Sequence, residues 1–180
     1  MKSSYIQNHF GDLFKTLVKI NKPKKIIEFG CLEGYSASCI LAGLKENGGP
    51  FDFTVYDLFE NYAYNHAEFK PVSEKFPEIK FIKMDYYKSE LALSKESVDF
   101  MHIDISNTGE TYRLFTQKYF PLLSPGGIAV LEGGSMERDN YEWMVKYNKP
   151  KIVPFLQSIK GKFNFIVLEP FPSVTVFVKN

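Results

Sequence analysis

The chain is poor in the residues on which several common functions depend. Two cysteines, Cys31 and Cys39, stand among 180 residues, too few for a disulfide framework. Only two of the 22 basic residues are arginine, which leaves little capacity for bidentate phosphate clamps. The formal net charge is +1 and no basic stripe is present, so nucleic acid is disfavoured as a partner.

Long apolar runs and targeting signals are also missing. No run approaches the ~20 apolar residues that span a bilayer, and the opening stretch, MKSSYIQNHF, lacks the apolar core of a signal peptide. With the scarcity of cysteine, these absences predict a cytoplasmic protein with no membrane partner. The length predicts one domain overall, with an N-terminal helix at 1–22 and the main domain at 23–180.

The chain does contain a regular alternation of strand and helix patterns. Apolar and β-branched runs predict seven strands, at 24–30, 51–57, 78–85, 97–104, 128–132, 163–169 and 173–179. Helical spacing predicts helices from residue 10 to about 22, from an N-cap at Ser36 to Asn47, over 110–123 and at about 151–160. This alternation indicates an α/β fold with a parallel sheet, and the short last connection makes the final two strands antiparallel.

Each of the first five predicted strands ends at or near a carboxylate. These acids are Glu28, Asp57, Asp85, Asp104 and Glu132. The carboxyl ends of parallel strands share one edge, and ligands of open α/β sheets bind there, so the five acids predict a ligand site. A single acid often marks no more than a strand leaving the core. The prediction therefore depends on the set of five and on the glycines that follow the first.

Two glycines follow the first strand, in the stretch EFGCLEG at 28–34. Gly30 and Gly34 stand between a strand and a helix, where the lack of Cβ permits a tight turn and close approach of the backbone to a ligand. The spacing is G-x-x-x-G after an acid, not the G-x-G-x-x-G of nicotinamide-binding loops. This pattern favours a ligand with positive charge and hydroxyls over a pyrophosphate.

The stretch EFGCLEG resembles motif I of the class I S-adenosylmethionine-dependent methyltransferases. The resemblance continues through Asp57, the pair Asp85-Tyr86, the stretch VDFMHID and the stretch LLSPGGIAVLE before the end of the fifth strand. It implies a Rossmann-like sandwich with a seven-stranded, mostly parallel sheet and an antiparallel C-terminal hairpin strand. It also implies an enzyme that transfers a methyl group from S-adenosylmethionine to a small molecule.

The resemblance also implies roles in cofactor binding. Glu28 would meet the methionine ammonium, Ser36 the methionine carboxylate and Asp57 the ribose hydroxyls. Asp85 and Tyr86 would lie beside the adenine. The full expected set is Glu28, Gly30, Cys31, Leu32, Gly34, Ser36, Asp57, Leu58, Asp85, Tyr86 and Asp104.

Within the class, the chain resembles small-molecule O-methyltransferases, including the macrocin O-methyltransferase group, whose acids after the fourth and fifth strands bind a divalent metal. It departs from their pattern, because Ser106 and Asn107 replace an acid and a histidine, and Gly133 replaces a second acid. Asp104 and Glu132, with Asn107 or water, are one option for a magnesium site. The favoured option is metal-free transfer, in which Asp104 or Glu132 acts on the acceptor hydroxyl directly.

Asp104, Glu132 and His102 are the candidate catalytic residues. His102 alternates with Asp104 on the fourth strand, and the alternative for it is a hydrogen-bonded core histidine. His66 lies in the aromatic stretch after the second strand and is interpreted as a base candidate or a solvated surface residue. His9, in the N-terminal helix, is assigned no chemistry.

Two stretches are expected to border the acceptor, because loops at this edge of a sheet carry specificity. They are 61–69, with Tyr62 and Tyr64, and 135–148, with Arg138, Tyr141 and Trp143. Their aromatic rings would stack on a ring or sugar, or else cover the core or a dimer contact, so a homodimer stays open. Arg138 would meet an anionic group of the acceptor or form an exposed salt bridge.

Two other functions stay open at this point. One is transfer of an aminopropyl group from the decarboxylated cofactor on the same fold, and the absence of a paired-acid signature argues against it. The other is a non-catalytic binding module that kept the fold, and the intact cofactor positions argue against that. The residues do not distinguish a sugar, a phenol or a nucleotide-linked compound as the acceptor, nor oxygen from nitrogen as the methylated atom.

Overall fold

A computed structural model describes residues 3–59, 72–88 and 90–180. The chain forms two compact units, residues 1–92 and 93–180. Seven strands make one mixed sheet in the order β3-β2-β1-β4-β5-β7-β6, numbered along the chain. Within the described residues, no helix combines the length and the apolar character needed to cross a membrane.

The first unit contains three parallel strands and the helices before and between them. Its elements are a 3₁₀ turn at Ser4–Asn8, α1 (Phe10–Asn21), β1 (Lys25–Phe29), α2 (Tyr35–Asn47), β2 (Asp52–Asp57), a helical stretch at 72–75, and β3 (Lys80–Lys83). β1 pairs with β2 and β2 with β3, both in parallel. The carboxyl ends of these strands therefore share one edge of the unit.

α1 and α2 pack closely against each other in the first unit. Phe10, Phe14 and Val18 recur at a spacing of four residues and are all buried, as the periodicity predicts. Gly43 of α2 lies at the crossing, where an added Cβ would come within 2.9 Å of the Lys15 carbonyl oxygen. Each buried Phe or Val contributes about 1.5–3 kcal/mol of hydrophobic stabilisation, so this face holds α1 against α2.

The second unit contains the remaining four strands. Its elements are β4 (Val98–Ile103), α3 (Gly109–Leu114), a π-helical turn at Phe115–Tyr119, a 3₁₀ turn at Phe120–Leu122, β5 (Leu123–Glu132), α4 (Met136–Asp139), α5 (Glu142–Lys146), α6 (Ile152–Ile159), β6 (Asn164–Leu168) and β7 (Val174–Val178). β4 and β5 are parallel, whereas β7 is antiparallel to both β5 and β6. The predicted antiparallel pairing of the last two strands is confirmed.

The helix predicted over 110–123 is less regular than its sequence pattern suggests. Only the first part is α-helical, because the backbone widens into the π-helical turn and then tightens into the 3₁₀ turn that contains Pro121, which has no N–H to donate. Four apolar or aromatic residues of this stretch are nevertheless buried, namely Tyr112, Phe115, Tyr119 and Leu122. The stretch SPGG at 124–127 lies inside β5 and not in a loop before it.

Candidate functional site

A tight loop connects β1 to α2 in the first unit. Gly30, Leu32 and Gly34 have φ angles of 86°, 45° and 81°, all in the left-handed region. The Gly34 N–H closes a turn by donating to the Cys31 carbonyl at 2.7 Å. A Cβ on Gly34 would lie 2.9 Å from Cε2 of Phe76, so both the backbone conformation and the space require glycine there.

Glu28 and Ser36 are buried and hydrogen-bonded to each other, an arrangement the sequence pattern did not predict. The Ser36 hydroxyl donates to Oε1 of Glu28 at 2.5 Å. The prediction that Ser36 is the N-cap is wrong, because α2 begins at Tyr35 and its N-cap is Gly34. The left-handed backbone of Gly34 places the N-cap two residues earlier than predicted, and the Ser36 side chain then contacts the carboxylate of Glu28 on β1.

Asp57 joins the end of β2 to the loop after β1. One carboxylate oxygen accepts from the Cys31 N–H at 2.7 Å, and the other accepts from the Phe59 N–H at 3.0 Å. A carboxylate has about four acceptor positions, so these two bonds leave Asp57 able to accept from hydroxyl groups as well. Its side chain is half-buried at the carboxyl end of the strand, where a ligand can reach it.

Asp85 and Tyr86 follow β3 and have different environments. Asp85 accepts from the Tyr87 N–H at 2.9 Å, and this bond, with Lys88 nearby at 3.3 Å, lowers the pKa of Asp85. Tyr86 is buried, and its ring meets Phe29 edge-on with 5.0 Å between centroids. The carboxyl edge of the first unit therefore combines acidic side chains with an aromatic cluster.

Cys31, Leu32 and Leu58 supply the apolar part of this edge. Cys31 is buried, and burial, with the charges of Glu28 and Asp57, raises the pKa of its thiol far above the ordinary value. The thiol therefore stays protonated at physiological pH and is not a nucleophile. Leu32 and Leu58 are large apolar side chains that remain exposed.

In the second unit, the ends of β4 and β5 bring the candidate catalytic residues together. Ile103 of β4 is in register with Leu131 of β5, so the next residues, Asp104 and Glu132, lie at neighbouring strand ends. Asp104 is half-buried, whereas His102 is fully buried within β4. A catalytic role for these residues stays a prediction.

Glu132 is held by Arg138. Nε of Arg138 donates to one carboxylate oxygen at 2.5 Å, and Nη2 donates to the other at 3.0 Å. Both residues are buried, so the expected exposed salt bridge of Arg138 is wrong. Trp143, predicted to face the acceptor, lies beneath the guanidinium at 4.9 Å from ring centroid to Cζ.

Asn107 ties the same strand ends together through its side chain. Its amide donates to the carbonyls of Ile103 and Glu132, both at 2.9 Å, and its amide oxygen accepts from the Ile105 N–H at 3.2 Å. Asn107 is fully buried. The structure thus uses the amide for backbone hydrogen bonds, which does not support the alternative that Asn107 completes a metal shell.

The segment at 135–148 is anchored more firmly than its polar sequence indicates. Asp139 is buried and accepts from the N–H groups of Ile152 and Val153 at 2.7 and 2.8 Å, at the start of α6. Tyr141 is half-exposed, and its ring stacks on Phe171 at 4.9 Å. No sequence signal reveals the Asp139 contact, because its partners lie 13 and 14 residues away.

The electrostatics at the ends of β4 and β5 depend mainly on Glu132. Burial raises the pKa of Glu132 to about 7, and Asp104 adds to this, while Arg138 opposes it. Within residues 3–59, 72–88 and 90–180, no group of three or more His, Cys, Asp or Glu side chains could hold a metal ion. Tyr62, Tyr64 and His66 lie outside the described residues.

The strand order and the helices between the strands define a Rossmann-like α/β fold. A family model described as a methyltransferase domain matches residues 27–132, more than half of the chain. The chain belongs to this family of methyltransferase domains. No curated protein sequence matches it significantly.

Solved structures with this fold include several methyltransferases. SAH-bound PaMTH1 from Podospora anserina is 17% identical with a TM-score of 0.70, over 99% of this chain and 80% of that one. The O-methyltransferase from Bacillus cereus, in complex with SAH, is 14% identical with a TM-score of 0.67, over 99% and 84%. TomG from Streptomyces achromogenes, an O-methyltransferase of tomaymycin synthesis in complex with SAM, is 14% identical with a TM-score of 0.63, over 94% and 79%.

Proposed function

We propose that this methyltransferase uses S-adenosylmethionine to methylate a small molecule at a hydroxyl oxygen. The observation that carries the proposal is the compact loop at 30–34, which Asp57 holds to the end of β2 through the Cys31 N–H. Such a loop exposes backbone where a side chain would obstruct a ligand. The O-methyltransferases from Bacillus cereus and Streptomyces achromogenes, which share this fold, support oxygen as the methylated atom.

The residues of the first unit fit S-adenosylmethionine. The ligand is cationic at the methionine end and has two ribose hydroxyls, and the carboxylates of Glu28, Asp57 and Asp85 match this chemistry. In the proposed complex Glu28 attracts the ammonium, Asp57 accepts from the ribose hydroxyls, and Asp85 with Tyr86 borders the adenine. Because the Ser36 hydroxyl donates to Glu28, we propose that it orients this carboxylate and does not bind the methionine carboxylate directly.

The remaining predicted contacts to the cofactor fit the same arrangement. Gly30 and Gly34 allow the ligand to approach the backbone, while Cys31, Leu32 and Leu58 provide apolar contact. When bound, S-adenosylmethionine supplies the methyl group on a positively charged sulfur. The protein has to align the acceptor and to remove its proton.

Asp104 is the proposed general base for the acceptor hydroxyl. It is half-buried directly after β4, so it combines access with a restrained position. Glu132 is less suited to this task, because Arg138 engages both of its oxygens. His102 is fully buried, and for it we propose a role in positioning the end of β4. Asp104 remains a proposed contact to the cofactor as well.

Location and partners complete the proposal. Both cysteines are free in the structure, which supports the predicted cytoplasmic location. The proposed partner is a small-molecule acceptor, with no nucleic acid and no membrane, and a homodimer stays open.

Transfer of a labelled methyl group tests the function. The purified protein is incubated with S-adenosylmethionine labelled at the methyl and with matched pairs of acceptors, phenols with anilines and sugars with amino sugars. We expect label on an oxygen-bearing acceptor and loss of at least tenfold in rate for Asp104→Asn. Label only on the amine of each pair would contradict oxygen as the methylated atom. Transfer unaffected by Asp104→Asn would remove Asp104 as the base.

A further inference from the structure

A fixed positive charge lies at the ends of β4 and β5. Arg138 is 4% exposed, and its guanidinium contacts both oxygens of Glu132 and the carbonyl oxygen of Asn107, the latter at 3.0 Å. Asp104 also interacts electrostatically with Arg138. The guanidinium is thus surrounded by the acid and amide residues that are the options for a magnesium site.

These residues do not fit a divalent metal in the arrangement that the structure shows. A metal would have to displace the guanidinium from Glu132, because both carboxylate oxygens already accept hydrogen bonds from it. Asn107 offers its amide oxygen to the Ile105 N–H. Hard cations such as magnesium require several oxygen ligands, and the described residues contain no group of three or more acidic or histidine side chains for one.

One nitrogen of the guanidinium, Nη1, makes no hydrogen bond to the described residues. The group has five N–H donors in a fixed fork, and Nε and Nη2 make the contacts to Glu132 and Asn107. Nη1 is buried and has no hydrogen-bond partner among the described residues. The Trp143 ring below the guanidinium compensates part of the cost of burying the charge. A buried donor without an acceptor is costly and therefore points to a ligand oxygen.

We propose that Arg138 takes the place of the metal cation in the acceptor site, and that its Nη1 donates to an oxygen of the acceptor. The inference rests on the proposed function and names the group that binds the acceptor. Arginine is charged at any physiological pH, so it stabilises negative charge on the acceptor oxygen without a metal. Glu132 holds the guanidinium in place and is a positioning residue.

Metal binding by the wild-type protein tests whether Arg138 takes the place of the metal cation. This measurement does not depend on activity. Manganese is titrated into the protein and free manganese is followed by electron paramagnetic resonance. We expect no manganese bound through Glu132. Binding that disappears in Glu132→Gln would overturn the proposal. Binding that persists in Glu132→Gln lies at another site and agrees with it.

A pair of arginine variants tests whether Nη1 of Arg138 donates to the acceptor. Arg138→Lys keeps a positive charge but loses the fork, whereas Arg113→Lys changes the exposed arginine that pairs with Glu110 on α3. We expect Arg138→Lys to lower kcat/KM for the acceptor about 10- to 100-fold, as for the loss of a charged hydrogen bond. The Kd for S-adenosylmethionine and the circular dichroism spectrum should stay unchanged, and Arg113→Lys should have no effect.

The outcomes separate this inference from the proposed function. Wild-type kcat/KM in a folded Arg138→Lys variant would overturn the role of Nη1. If Arg138→Lys does not fold, Glu132→Gln provides the second test, because the neutral amide holds the guanidinium less firmly and should raise KM for the acceptor. An unchanged KM would then overturn the inference. Failure of the wild-type protein to bind S-adenosylmethionine concerns the proposed function alone, since the manganese titration does not depend on it.

Discussion

Asp57→Asn is expected to weaken both the fold of the first unit and its affinity for S-adenosylmethionine. In the wild-type protein the two carboxylate oxygens accept from the N–H groups of Cys31 and Phe59. The substitution keeps the size of the side chain but replaces one oxygen by an NH₂ group. That group faces a backbone donor, so either Cys31 or Phe59 loses its acceptor.

The size of the effect follows from these contacts. A hydrogen bond to a charged group contributes about 1.5–3 kcal/mol, and a buried donor left without an acceptor costs about 1–3 kcal/mol. Cys31 and Phe59 are both buried, so we expect the free energy of unfolding to fall by about 2–3 kcal/mol. Loss of the charge that accepts from the ribose hydroxyls should raise the Kd for S-adenosylmethionine about 10- to 100-fold.

Urea denaturation measures the first quantity and isothermal titration calorimetry the second. Asp52→Asn is the matched control, because Asp52 begins the same strand at its opposite end and pairs with Lys25 and Lys80 in a partly exposed position. Each such pair contributes about 0.2–1 kcal/mol, so the control with its two pairs should lose at most about 2 kcal/mol and should keep its affinity for the cofactor. Equal loss of affinity in Asp52→Asn and Asp57→Asn would refute the reasoning.

Three further predictions concern backbone strain, the buried ion pair and pH. Gly34→Ala should lower the free energy of unfolding by about 1–3 kcal/mol. The loss should exceed that of Gly161→Ala, because Gly161 has a similar φ of +83° but no described atom within 4 Å of an added Cβ. Equal losses of free energy in urea denaturation would exclude the contact with Phe76. Arg138→Met should lower the free energy of unfolding by about 3–5 kcal/mol, because Glu132 stays buried without its partner. A second substitution, Glu132→Leu, should restore most of this stability. A further loss of stability in the double variant would contradict the pairing. Burial raises the pKa of Glu132 to about 7 from an ordinary 4.5, so the folded protein retains a proton that the unfolded chain releases. Stability should therefore fall by about 3 kcal/mol between pH 4.5 and 7. Between pH 4.5 and 7 the free energy of unfolding should decline less in Glu132→Gln than in the wild-type protein. An identical decline in both proteins would assign the effect to other groups.

Local sequence patterns predicted the strands and the acids at their ends, because side-chain periodicity and strand ends are local properties. Asp57 is an example, since it is the last residue of β2 and lies at the edge where its position in the pattern placed it. Ser36 shows the limit of such patterns. Serine favours N-caps, but the left-handed backbone of Gly34 decided where α2 begins.

The pair of Glu132 and Arg138 could not be predicted from the sequence. Arg138 lies in the short helix that follows a glycine-containing turn after Glu132, and neither residue shows a pattern that indicates burial. Asn107 likewise looked like a lost catalytic position, but its side chain connects backbone carbonyls 4 and 25 residues away. Such contacts depend on tertiary structure. The scarcity of arginine was the one available signal, because it drew attention to Arg138.

Calorimetric titration of the wild-type protein with S-adenosylmethionine and S-adenosylhomocysteine tests the central claim most directly. The account predicts that both bind at one site per chain, with affinities in the micromolar range, and that Asp57→Asn weakens both. No binding of either compound at millimolar concentration, by protein that circular dichroism shows to be folded, would contradict the claim that the carboxyl edge of β1, β2 and β3 is a cofactor site.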